Sequence, residues 1–239
     1  KGGEITINGG IVEADSITSG NGGKGGDGYS GGGKGGNGGS ITITGGMVKV
    51  SNIKSGTGGN GGSAYDPNTD VSGGSGGKAG NITINGGIVE ADSITSGTGG
   101  TGGYGYTKGG KGGNGGNIII NGGIVEVGSI TSGSGGSGGS SSAGRNGNDG
   151  IVVSIVINTG IVFQGNSGQV YGARATLSEN FAIPAGKTLT IDSGKTLIIL
   201  QGKNLTVSEG ATLTSSGTIS NSGKIYVDGT FTGTADNLY

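Results

Sequence analysis

One short phrase recurs four times in this chain, and a glycine tract follows each copy. It reads EITINGGIVEADSITSG at residues 4–20, SITITGGMVKVSNIKSG at 40–56, NITINGGIVEADSITSG at 81–97 and NIIINGGIVEVGSITSG at 117–133. A worn fifth copy, IVINTGIVFQG, spans 155–165. The first isoleucines of the copies, Ile5, Ile41, Ile82, Ile118 and Ile155, lie 36, 41, 36 and 37 residues apart. A near-constant period in that range marks a repeat architecture, in which one unit buries its apolar face only against the next. A repeat also offers the same surface several times over, which suits binding or scaffolding.

Inside each phrase, Ile5-Thr6-Ile7 alternates apolar and polar, as a half-buried strand does. Asn8-Gly9-Gly10 is a turn signal. Ile11 to Ile17 reads as a second strand with both faces partly apolar, and a bend before Ile17 is needed to return that side chain to the core. Stacked copies give an isoleucine ladder, a second ladder of Ile17, Ile53, Ile94 and Ile130, and a polar ladder of Asn8, Thr44, Asn85, Asn121 and Asn158. Glu13, Lys49 and Glu90 alternate in sign, which suits neighbouring strands, whereas Glu126 beside Glu90 breaks the pattern.

The glycine tracts keep a rhythm of three. Asn21, Lys24 and Asp27 mark it on the way out, and Lys34, Asn37 and Ser40 on the way back. The second and third tracts repeat this in both legs, whereas the return leg of the fourth reads as degenerate. Three residues per turn is the period of a polyproline-II helix. With two prolines in the whole chain this is not collagen. Glycine at two positions in three strips two faces of each helix, so that helices can pack at backbone distance. Each tract is expected to be an out-and-back pair with a tip, its legs roughly 20–25 Å long at about 3.1 Å per residue.

From about residue 173 the rhythm tightens. Gly186, Gly194, Gly202 and Gly210 are 8 apart, and Leu189, Leu197, Leu205 and Leu213 keep the same step. The chain thus divides into residues 1–172, a β-solenoid with glycine-rich excursions, and 173–239, a short-repeat β-solenoid that caps or continues it. The expected fold class is all-β: a parallel β-solenoid (β-helix) with lateral polyglycine-II/polyproline-II helices packed side by side.

Composition narrows the function. Glycine supplies 66 of 239 residues, 54 of them in the first 150, and charged residues are 12%. Net charge is −1 with the basic residues scattered along the sequence, which does not point to nucleic acid. Histidine and cysteine are absent, which removes Ser-His-Asp triads, thiolate nucleophiles and Cys/His zinc sites. Enzymatic activity is not expected. No segment approaches the roughly 20 apolar residues of a membrane span. The opening residues KGGEITI already sit inside a repeat, as in a piece of a longer polypeptide, so targeting is not legible there.

Tyr29, Tyr65, Tyr104 and Tyr106 gather at the tract tips, with Arg145 at the fourth tip. Tyrosine on exposed loops of a rigid scaffold suits recognition, although a ring that covers the open end of a glycine pair has the same placement. DPNTD at 66–70 resembles the opening of a calcium loop through Asp66, Asn68 and Asp70, but Val71 and Gly77 replace the glycine and glutamate such a loop needs. A turn at Asp66-Pro67 is the simpler reading. GGKGGDGYS at 22–30 fits a calcium-roll nonapeptide once, where stacked copies are required. GKT at Gly186 and Gly194 lacks the upstream glycine of a phosphate loop, since Phe181 and Leu189 stand there. No cofactor is expected, calcium being the one weak candidate.

The phrases ITINGGIVEADSITSG, GGKGGNGG and IPAGKTLTI…GKTLII…GATLTSSGTISNSGKI resemble glycine-rich β-solenoid repeats of bacterial cell-surface proteins. The glycine tracts alone are similar to the polyglycine-II sandwich of phage tail-fibre adhesins, whose variable tips touch the host receptor, and to springtail antifreeze proteins, whose disulfides this chain lacks. These resemblances imply an extracellular or cell-surface location. The leading expectation is a non-enzymatic scaffold or adhesin, a stiff rod that presents its loop tips to a glycan or surface protein. The alternative is a structural subunit of an extracellular fibre that assembles end to end. A further alternative is ice binding through threonine ranks that include Thr188, Thr190, Thr196, Thr206, Thr212 and Thr214.

Overall fold

A computed structural model describes residues 1–239. The chain is all-β, with twenty strands and no helix. The first strands of the five copies are β1 (Ile5–Ile7), β3 (Ile41–Ile43), β5 (Ile82–Ile84), β7 (Ile118–Ile120) and β9 (Ile155–Ile157). They form one parallel sheet in which Ile5, Ile41, Ile82, Ile118 and Ile155 stand in register. The second strands are β2 (Ile11–Thr18), β4 (Met47–Lys54), β6 (Ile88–Thr95), β8 (Ile124–Thr131) and β10 (Gly160–Gln164), again parallel and in register. The two sheets enclose a core of Ile41, Ile82, Ile118, Val48, Val89 and their neighbours. Pairing passes over Asp15, Ser51, Asp92 and Gly128, which is where the strand bends. The bend lets Ile17, Ile53 and Ile94 point inward despite their odd spacing from Val12, Val48 and Val89.

The polar ladder forms with one break. Thr44 Oγ1 donates to Asn8 Oδ1 at 2.9 Å, Asn121 Nδ2 to Asn85 at 2.9 Å and Asn158 Nδ2 to Asn121 at 2.7 Å. The break lies between Thr44 and Asn85, whose side chains share no hydrogen bond. The following glycines, Gly10, Gly46, Gly87 and Gly123, have φ of +81° to +87°, a region costly for residues with a Cβ.

At the end of the fifth copy the chain reverses. β10 pairs antiparallel with β11 (Ser167–Tyr171) through a two-residue loop that opens with Gly165 at φ +59°, the geometry that a type II′ hairpin requires. From there the chain winds as a three-sided prism. β11, β14 (Thr188–Ile191), β17 (Thr212–Ser215) and β20 (Thr230–Thr232) form one side. β12 (Arg174–Leu177), β15 (Thr196–Ile199) and β18 (Thr218–Asn221) form the second, and β13 (Phe181–Ile183), β16 (Asn204–Val207) and β19 (Lys224–Val227) the third. Leu189, Leu197 and Leu205 each serve a different side, so the eight-residue rhythm is one side of a three-sided coil.

One nine-stranded sheet runs through both solenoids and explains why its long strands are apolar on both faces. Val48, Val89, Val125 and Val162 face the first core, while Ile88, Ile124 and Ile161 belong to the second. Where the prism does not reach, the same column is bare: Ile11 is 73% exposed, against 4% for Ile88. Lys187 joins the two parts by pairing with Glu126 at 2.6 Å and donating to the Gly165 carbonyl at 3.1 Å. Glu126 therefore breaks the alternating pattern because its counter-ion comes from the prism, while Lys49 pairs with Glu90 at 3.3 Å.

The glycine tracts form a slab of eight extended legs. The four outgoing legs stack in one column and the four return legs in another. Within a column the first glycine of each pair donates to the next leg in the same direction, as in Gly22→Thr57, Gly25→Asn60 and Gly28→Ser63 at 2.8–2.9 Å. The second glycine donates across to the other column, as in Gly59→Gly36 and Gly62→Gly33 at 2.8 Å. These bonds advance by three residues on both partners, which is the three-fold helix seen in its hydrogen bonding. The third residue of each triplet points outward, and its N–H is often met by a side chain of the preceding leg: Thr57 by Asn21, Ser63 by Asp27, Lys78 by Asn37 and Thr101 by Asn60. The Ser63 amide and Lys24 beside it hold the exposed Asp27 carboxyl below its ordinary value of 3.8.

The return leg of the fourth tract is not degenerate. Gly147 and Gly150 donate to Gly139 and Gly136, and Arg145, Asn148 and Ile151 accept from Gly109, Gly112 and Gly115. It keeps the step of three with a single column of glycine, because no leg lies beyond it, and the exposed Asn146 and Asp149 side chains accept from Ser141 and Gly138 N–H of the outgoing leg. Buried serines hinge the slab to the solenoid. Ser55 Oγ donates to the Gly80 carbonyl at 2.6 Å and accepts from Gly97 N–H at 2.9 Å, and Ser19 makes the equivalent pair. Leaving either buried backbone group unpaired would cost about 1–3 kcal/mol.

Candidate binding edge at the tract tips

Because the legs stack in register, their tips form a continuous edge. Isolated bridges link Gly28, Ala64, Gly105 and Ser141, one residue from each tip. Asp66 N–H donates to the Tyr29 carbonyl at 3.0 Å, and Ala143 N–H to the Tyr106 carbonyl at 3.2 Å. Tyr65 stacks on Tyr104 with ring centroids 5.9 Å apart, and the Tyr104 hydroxyl shares a hydrogen bond with Ser142. Tyr29 and Tyr65 remain 64% and 53% exposed, and Tyr106 also faces solvent, whereas Tyr104 is half-buried. Arg145 is exposed at the start of the fourth return leg, its carbonyl accepting from Gly109 N–H at 2.9 Å. The fold thus lines up Tyr29, Tyr65 and Tyr106 on three successive tips, stacks Tyr104 on Tyr65 and places Arg145 on the fourth tip.

The second tip owes its shape to Asp66. This residue is buried, and its two carboxylate oxygens accept from Asn68 N–H at 2.9 Å and Thr69 Oγ1 at 2.8 Å. Each oxygen accepts a donor from within the next three residues, the pattern of a turn that opens at Asp66-Pro67. No group of three or more acidic side chains anywhere in the chain is placed to hold a metal ion. Val71 closes the same tip, its carbonyl accepting Thr107 N–H at 3.1 Å.

Two other surfaces bear on function. A groove of about 320 Å³ on the nine-stranded sheet is lined by Lys49, Glu90, Asp92, Glu126 and Lys187. Glu90 and Glu126 stand in register there, but each is already tied to a lysine. The threonines of the prism split among its sides: Thr188, Thr190, Thr212 and Thr214 share one, Thr196 is on the second and Thr206 on the third. Sequence reasoning missed what the return legs do with their lysines. Lys34, Lys78, Lys108 and Lys111 appear scattered in sequence, yet all are exposed on the outer face of one column. The signal was available in the triplet phase, since each takes the non-glycine position of a leg running back.

No protein-family model matches the chain, and no curated protein sequence matches it. Among solved structures it is similar to the nine-helix polyproline type II bundle of the springtail antifreeze protein from Granisotoma rainieri. The two share 26% identity over 62% of this chain and 94% of that one, with a TM-score of 0.24. A TM-score that low carries no structural argument.

Proposed function

We propose that this chain is a non-enzymatic extracellular scaffold that presents the tract tips to a glycan or a surface protein. The observation that carries this reading is the tip edge itself, where exposed tyrosines sit on a backbone held by hydrogen bonds from leg to leg. A rigid platform lowers the ordering cost of binding, and a tyrosine ring offers a large contact area with few torsions to freeze. A ring that merely covered its glycine pair would be buried, as Tyr104 partly is, and Tyr29 and Tyr65 are not.

Changing Tyr29, Tyr65 and Tyr106 to alanine is expected to reduce adhesion to cells or glycan arrays by about tenfold or more while leaving the melting temperature within about 2 °C. Adhesion equal to that of the parent chain would defeat the reading.

A specific observation favours a second reading, a fibre subunit. β1 and β2 are edge strands, and Ile11, the first residue of β2, lies bare. An open apolar edge is a template for pairing with another copy. Light scattering at rising concentration tests it, and strict monomers throughout would remove it.

A further inference from the structure

The two faces of the glycine slab differ in charge. Outward positions of the outgoing legs hold mainly Ser, Thr and Asn, with Lys24 and Asp27 paired to each other at 3.0 Å. Outward positions of the return legs hold Lys34, Lys78, Lys108, Lys111 and Arg145 and no acid. Asp149, on the fourth return leg, falls out of that phase and accepts Gly138 N–H from the opposite column. All five cations are exposed, and none is in an ion pair. They are five of the chain's 14 basic residues. With a formal charge of −1 overall, the rest of the molecule carries −6 once these five are set aside.

The register fixes their arrangement. Gly73 N–H bonds to Lys108 and Gly109 N–H to Arg145, so these two cations stand at one height on adjacent legs. Gly35 N–H bonds to Ser75 and Gly76 N–H to Lys111, so Lys34 and Lys111 share a second height two legs apart. Lys78 stands at the third height beside Asn37. Neighbouring legs are about 5 Å apart, and successive heights about 9 Å apart at 3.1 Å per residue. The result is a flat, sparse lattice of positive charge interleaved with Ser and Asn side chains. Its densest corner, Lys108, Lys111 and Arg145, adjoins Tyr104 and Tyr106 on the tip edge.

We infer that the return-leg face binds an anionic polysaccharide, a chain with one carboxylate or sulfate per sugar or so, laid across the legs toward the tips. The inference rests on the tip-edge reading only in taking the partner to be a sugar polymer. The lattice favours that polymer over duplex DNA, which carries one charge per about 1.7 Å of axis, far denser than these cations. Hydroxyl and amide neighbours suit sugar hydroxyls, and the tyrosines at the margin offer a pyranose ring a stacking surface.

The test measures binding of the chain to polygalacturonate, to its fully methyl-esterified form and to duplex DNA at several salt concentrations. The acid polymer is expected to bind and the ester not, with affinity falling as salt rises. The fivefold variant Lys34→Gln, Lys78→Gln, Lys108→Gln, Lys111→Gln, Arg145→Gln is expected to lose about tenfold or more, whereas Lys24→Gln with Lys54→Gln changes binding less than about twofold. Equal binding of acid and ester, tighter binding of DNA, or full binding by the fivefold variant would each overturn the inference. Polygalacturonate binding retained by a parent chain that adheres to no cell or array would support the face and sink the tip reading alone. Polygalacturonate binding lost in the tip-tyrosine variant but kept by the fivefold variant would do the reverse.

Discussion

Replacing Gly100 by alanine is expected to destabilise the protein by about 3 kcal/mol or more, lowering its melting temperature by roughly 6–12 °C for a chain of this length. A Cβ there would sit 2.0 Å from the Gly59 carbonyl oxygen and 2.5 Å from its carbon. Both are backbone atoms in a hydrogen-bonded leg and cannot turn aside. Gly26 has the same triplet context but lies in the outermost leg, with no atom within 4 Å of the added carbon. Gly26→Ala is expected to leave stability unchanged or to raise it by up to about 1 kcal/mol, because alanine restricts the unfolded chain. Thermal melts of the two variants side by side make the comparison. Equal melts would mean that the legs are not packed at backbone distance.

Phe163→Ala is expected to cost about 3–5 kcal/mol. Phe163 is fully buried in the hairpin strand, its ring 5.7 Å from that of Phe181, and it belongs to the second core. The ring fills the space left by Gly168 on the partner strand, where an added Cβ would lie 2.2 Å from the ring edge. Gly168→Ala alone is therefore destabilising, while the same change in the Phe163→Ala background occupies part of the cavity. A double-mutant cycle in urea is expected to give a coupling above about 0.5 kcal/mol. Additive effects would show that ring and glycine are not in contact.

The fold was largely legible, and the reason is repetition. Ile5 and its four counterparts mark a ladder without any pairing information, and the triplets mark the legs. Other features stayed hidden because they depend on what lies opposite. The apolar second face of Ile88 and Ile124 made no sense until the prism covered it. The reversal at Gly165 left no mark in the periodicity, since a strand reads the same in either direction. The fourth return leg looked degenerate because one glycine column is dispensable in a leg with a single neighbour.

The candidate site was legible only in part. The tyrosines announced the tips, but the stacking of Tyr65 on Tyr104 depends on how a 41-residue and a 36-residue spacing bring two tips into register. The shared face of Lys34, Lys78, Lys108 and Lys111 was obscured by the alternation of out and back, which separates neighbours in space by whole tracts in sequence, and only their triplet phase carried it. Asp66 shows the opposite risk. Its motif suggested a ligand, and burial with two local donors makes it a turn.

The serine hinges and parallel register together make each copy a removable rung. A coil contributes one strand to each sheet of the first solenoid and one leg to each column of the slab, and it meets its neighbours through nearly identical surfaces. An in-frame duplication or deletion of one copy by recombination between the repeats would therefore lengthen or shorten both halves at once, by about 5 Å, and leave the terminal hairpin and prism untouched. The span of the tip edge is then a quantity that copy number sets in discrete steps.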